Sequence, residues 1–207
     1  MTDHFLRLEV ARRPWPEEAE LKRKFLELSS AAHPDRVNTG SATDREQANA
    51  RFAEINSAYN CLRDPRERLA HLLQLESGDA PRQVRQIPAD LADEIIPAEQ
   101  LCREASAFLT EKARATSPML KAQLFARALD WTDRIQARLQ PLQQRRAAVE
   151  AEIAALNEVW AALDAVTDPQ QRRERLPLTK LDELFRSWSY LSRFIGQLQE
   201  RAVQMTM

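Results

Sequence analysis

Along the N-terminal third of the chain, apolar residues recur at the three-and-four spacing of amphipathic helices. Leu21, Phe25, Leu28 and Ala32 form one stripe, and Ala48, Phe52, Ile55, Tyr59 and Leu62 form another. The second stripe steps by four, three, four and three, the spacing of a helix packed antiparallel on a neighbour. Ahead of both, Asp3 is placed to cap a short helix carrying Phe5, Leu6 and Leu8. Pro16 is placed to open the helix that runs to about Ala32, with Glu17, Glu18 and Glu20 at the positive end of its dipole. Asp44 is placed to start the next helix, ending near Leu62. Asp64-Pro65 then opens a short fourth one with Leu69, Leu72, Leu73 and Leu75.

Residues 77–88 are polar and aperiodic, the pattern of a linker. Beyond them the helices are longer and richer in Ala, Leu, Glu, Gln and Arg. One is expected over Pro97–Arg114, after a broken segment over residues 89–96. Thr116-Ser117-Pro118 reads as a turn, followed by a long apolar stripe from Leu120 to Leu163. Pro141 lies within that stripe. A proline inside a helix costs about 3 kcal/mol, so a kink or sharp turn is expected there. Asp168-Pro169 reads as the end of the run, and a last helix is expected over Leu178–Ala202. The pattern predicts an all-α protein: a domain at 1–76 built on a helical hairpin with two short flanking helices, a linker at 77–88, and an antiparallel three- or four-helix bundle at 89–207.

Composition agrees with that class. The 207 residues contain three glycines, 43% are hydrophobic and 29% charged, enough for helical cores under a solvated surface. A net charge of -1 gives no support to nucleic-acid binding. No apolar run suits a membrane span or an export signal. Cys61 and Cys102 have neither CxxC spacing nor histidines near them in sequence, so no metal site is expected and a reducing cytoplasm is the natural compartment.

The candidate chemistry lies where the first long helix ends, at Ala31-Ala32-His33-Pro34-Asp35-Arg36. Proline stops the helix, because its ring disfavours the α conformation of the residue before it. His33 and Asp35 are thereby expected on a stiff corner, beside a helix carrying Lys22, Arg23 and Lys24. A catalytic reading, with His33 as base and Asp35 as its orienter, lacks a companion nucleophile, metal cluster or phosphate loop.

These residues resemble the J domain, the module by which co-chaperones engage heat-shock-70-type ATPases. His33-Pro34-Asp35 matches the family's tripeptide between the second and third helices. Phe52, Ile55-Asn56, Ala58-Tyr59, Leu62, Asp64-Pro65 and Arg68 match its third-helix pattern in register. The resemblance implies that His33, Pro34 and Asp35 dock on the chaperone and trigger its ATP hydrolysis. Lys22, Arg23, Lys24 and Arg36 would then face an acidic chaperone surface, governing association rate and orientation. The chain departs from the family in carrying Ser29, Ser30, Ala31 and Ala32 where further basic and aromatic residues are usual, and Arg36 where lysine is usual.

The second half has no Gly/Phe-rich segment and no zinc-binding cysteine repeat. Instead, Arg68-Leu69-Ala70-His71-Leu72-Leu73-Gln74-Leu75 leads through the linker into the bundle. That layout resembles the HscB-type J protein of iron–sulfur cluster assembly. The resemblance implies a partner scaffold protein held by apolar residues, Leu91 and Ile95 at the start of the bundle and Tyr190 with Leu191 on its last helix. Core packing is the alternative reading of these four residues, and exposure decides between them. Two other functions remain open: a J protein for an unrelated client, and a J-like interaction protein that activates no chaperone.

Overall fold

A computed structural model describes residues 2–33, 42–79 and 87–207, with the side chains of residues 42 and 44 left aside. Every regular element among the described residues is helical. The α-helices are α1 (His4–Arg7), α2 (Glu18–Ala31), α3 (Ala42–Arg63), α4 (Pro65–Ser77), α5 (Ala92–Ala113), α6 (Pro118–Ala155), α7 (Asn157–Ala161), α8 (Pro169–Arg175) and α9 (Leu178–Thr206). Arg36, Pro34 and Asp35, with most of the expected linker, lie outside the described residues.

By contact the chain forms two compact units. One comprises Met1–Arg82 with Glu152–Phe185, the other Gln83–Ala151 with Arg186–Met207. The expected division at 77–88 follows chain order, whereas the contact grouping places residues 152–185 with the N-terminal helices. The reason is a set of polar ties. Asn157 exchanges two hydrogen bonds with the backbone of Trp15, at 3.0 and 2.7 Å, Arg13 pairs with Asp164, and Arg172 pairs with Glu76. Trp160 is fully buried in the same unit.

Within the first unit the caps are those the sequence suggests. The Asp3 carboxylate accepts from the amides of Phe5 and Leu6, and the Asp64 carboxylate accepts from Glu67 at 2.9 Å. α2 begins at Glu18 rather than Pro16, with no side-chain cap. α2 lies on α3 as a hairpin. Its buried Leu21 and Leu28 join Ile55, Ala58 and Leu62 in the core, and Phe25 stacks on Tyr59 with ring centroids 4.2 Å apart. α4 stops at Gly78, whose φ of +84° is the left-handed conformation that favours glycine at a helix end. A Cβ there would also meet the Arg173 guanidinium at 2.7 Å.

The second unit is a three-helix bundle of α5, the first part of α6 and the last part of α9. Ion pairs Glu111–Arg127, Glu104–Arg134 and Asp90–Arg145 climb α5 and its preceding turn while descending α6, so those two helices are antiparallel. Of the kink or sharp turn expected at Pro141, the turn is absent, since α6 runs through that residue; α5 likewise runs through Pro97. Each ring frees one backbone carbonyl a turn earlier, at Ala137 and Asp93. Both residues are exposed, so water can take the missing hydrogen bond.

Candidate functional site

The hairpin ends at Ala32, whose amide closes the last turn of α2 on Leu28 O at 2.9 Å. His33 follows immediately and is exposed. Its ring meets Phe52 of α3 edge-on, with centroids 5.7 Å apart and planes at 80°. One turn of α3 further on, the Asn56 amide donates to Phe52 O at 2.8 Å. The corner histidine is therefore set against an aromatic side chain of the partner helix.

The basic residues of α2 divide. Lys22 and Arg23 are exposed, Arg23 lying 3.5 Å from Glu27 one turn along. Lys22 edges a shallow groove of about 350 Å³ with Leu21, Tyr59, Arg63 and Pro65. Lys24 is half-buried and drawn toward Glu9 at 3.3 Å, so its charge is partly committed within the unit. The structure does not describe Arg36.

Beneath the hairpin, Arg68 is buried and performs a purely structural task. It donates to Pro14 O at 3.2 Å and to Leu62 O at 2.8 Å, and its guanidinium lies 4.9 Å from the Trp15 ring centroid. Burial lowers its pKa to about 10, so it remains charged at neutral pH. Its motif position thus ties α4 to the end of α3 and to the segment before α2.

The four residues expected to contact a client are placed otherwise. Leu91, Ile95 and Leu191 are fully buried, and Tyr190 is 9% exposed. They belong to the core of the second unit, and the reading of them as an open docking surface is corrected accordingly. Helical periodicity identified the face correctly but could not say that the bundle's own helices cover it. The large apolar side chains left open on this unit are Ile96, next to Ile95 and 54% exposed, a group on α6 comprising Met119, Leu120, Phe125 and Leu129, and Val203 and Met207 at the C-terminal end. Phe125 also borders a groove of about 590 Å³ with Leu109 and Met207.

Sequence reasoning also treated Cys61 as isolated. The fold brings His4 of α1 and His71 of α4 up to it, with one potential ligand atom from each residue all within 4.8 Å of one another. The His4 amide donates to His71 Nε2 at 3.1 Å, and the two rings lie 4.5 Å apart. Burial lowers the pKa of His71 to about 4, and burial raises the Cys61 thiol to about 11.

Comparison with known proteins agrees with the hairpin. Residues 3–71 match the DnaJ domain family, and this part of the chain is a J domain. Among relatives, an HscB homolog co-chaperone of Shewanella loihica is 36% identical over 61 residues, 30% of this chain and 35% of that protein. Another, of Haemophilus influenzae, is 28% identical over 137 residues, 58% of this chain and 79% of that protein. The first two relatives are thus matched over only about a third of their length, 35% and 33%. The solved chaperone HscB of Vibrio cholerae shares the fold, with a TM-score of 0.58, 18% identity and 99% coverage of both chains. In its first third the chain is similar to J domains, and its relatives over that stretch include HscB-type co-chaperones. No described helix is long and apolar enough to cross a membrane.

Proposed function

We propose that this protein stimulates ATP hydrolysis by a heat-shock-70-type chaperone and delivers an iron–sulfur scaffold protein to it, with no catalysis of its own. The observation that carries the reading is His33, exposed at the end of α2 and backed by Phe52 within the matched J domain. A co-chaperone works by binding one state of a two-state partner more tightly than the other. His33, Pro34 and Asp35 would supply that differential contact. Lys22 and Arg23 remain available to an acidic partner surface, and Arg36 belongs to the same proposal. Reversing both charges, with Lys22→Glu and Arg23→Glu, should slow association with the chaperone and flatten its salt dependence. Surface plasmon resonance at two ionic strengths checks this, and unchanged association kinetics would remove these residues from the interface.

The scaffold half of the reading rests on likeness to HscB, extended by the Haemophilus relative into the second unit. With Leu91, Ile95, Tyr190 and Leu191 in the core, we assign the client contact to the exposed Ile96 on the segment where the family resemblance puts it. Calorimetry of the full chain with the cell's own cluster scaffold should give binding that Ile96→Asp weakens and Phe125→Asp does not. The opposite ranking would move the contact to α6, and absence of binding would favour an unrelated client. The reading places the protein in the cytoplasm, where both cysteines stay reduced.

A further inference from the structure

We propose that His4, Cys61 and His71 form a binding site for a thiophilic transition-metal ion of the zinc class. The inference is independent of the chaperone reading, because none of the three residues belongs to the docking corner.

The geometry supplies the first argument. Three side chains from α1, α3 and α4 converge with their ligand atoms within 4.8 Å of one another. Zinc bonds of about 2.0 Å to nitrogen and 2.3 Å to sulfur set tetrahedral ligand atoms about 3.3–3.7 Å apart. Closing the site therefore asks for about an ångström of side-chain movement. Elsewhere among the described residues, no other group of three or more His, Cys, Asp or Glu side chains meets this spacing.

The donor chemistry supplies the second. One thiolate and two neutral imidazoles suit zinc or another borderline-to-soft ion and disfavour magnesium or calcium, which take oxygen ligands. His4 Nδ1 is a buried nitrogen with no hydrogen-bond partner, so this ring nitrogen is not committed to another group. Cys61 is half-exposed, which leaves a path for the ion and a water as fourth ligand.

Coordination has two further chemical consequences. The thiol gives up its proton to solvent as sulfur bonds to the metal, so binding releases one proton and changes no oxidation state. His71 Nε2 now accepts the His4 amide, which puts the ring proton on Nδ1. A metal on Nε2 displaces that amide directly. A metal on Nδ1 moves the proton to Nε2 and ends its role as acceptor. Either route releases the His4 amide.

The experiment uses the full chain after treatment with a chelator. Cobalt(II) alone should bind with one equivalent per chain and give a thiolate-to-cobalt charge-transfer band, which zinc(II) then bleaches. Cys61→Ser should abolish the band, whereas Cys102→Ser, in the other unit, should keep it. His4→Gln should weaken zinc binding by more than about tenfold, since changes even to outer-shell groups have that effect at metal sites. Zinc should raise the melting temperature of the original chain and not of Cys61→Ser, with circular dichroism showing both folded beforehand. Absence of the band in the folded original chain would overturn the proposal. So would a band that survives Cys61→Ser, or zinc affinity unchanged by His4→Gln.

Discussion

Glu76 is buried near the end of α4, and both its oxygens are held by Arg172 of α8, at 2.9 Å to Nε and 2.6 Å to Nη2. The same guanidinium donates to Leu163 O at 2.7 Å, while Arg12 approaches Glu76 from the other side at 3.4 Å. Removing Arg172 leaves the buried Glu76 carboxylate with only the longer Arg12 contact, and loss of a partner from a buried pair costs up to about 3–5 kcal/mol. Arg172→Met should therefore lower the urea midpoint of the first unit sharply. Pairing it with Glu76→Gln should recover much of the loss, and additive losses would contradict a coupled pair. Arg13 and Asp164 act at the surface of the same unit. The hydrogen bond from Arg13 holds the Asp164 pKa below its ordinary 3.8. A depressed carboxylate contributes stability that is fully present above its unfolded pKa and fades as pH falls through the lower folded value. Thermal melts from pH 5 to below 3 should thus show a steeper acid decline in the original chain than in Asp164→Asn.

At the scale of elements, the α2–α3 hairpin was the most legible part of the chain. Two periodic stripes set its faces, Asp64-Pro65 started α4, and the His33 stop agrees with an α2 ending at Ala31. Asp168-Pro169 carried the same signal as Asp64-Pro65, yet it read as a stop. The structure starts α8 there, with the Asp168 carboxylate accepting from Gln170 at 3.0 Å. At Pro141 the sharper of the two expected outcomes, a turn, did not form, because exposure of the residue whose carbonyl is freed is a tertiary fact that no local pattern records. Pro141→Ala restores the hydrogen bond to Ala137 and should stabilise α6 by about 1–3 kcal/mol, read as a higher melting temperature of the second unit. A lower one would mean that the proline is required where it stands. The His4–Cys61–His71 cluster was invisible for a related reason: its members lie on three helices, and spacing along the chain carries no trace of their meeting.

For the whole molecule, the sequence announced a J domain followed by helices. It did not announce that residues 152–185 would group with the N-terminal helices, since that depends on pairs such as Arg172–Glu76 far apart in the chain. Nor could it tell buried from open apolar positions on the bundle, which moved the proposed client contact from Leu91 and Tyr190 to Ile96. The central claim is that one exposed histidine, seated on Phe52, transmits this protein's effect to a nucleotide-driven partner. Single-turnover ATP hydrolysis by the cognate heat-shock-70-type chaperone, with the full chain and with His33→Gln, tests it most directly. The account predicts acceleration by the original chain and a return to the basal rate with His33→Gln at unchanged helicity; equal acceleration by both would contradict it.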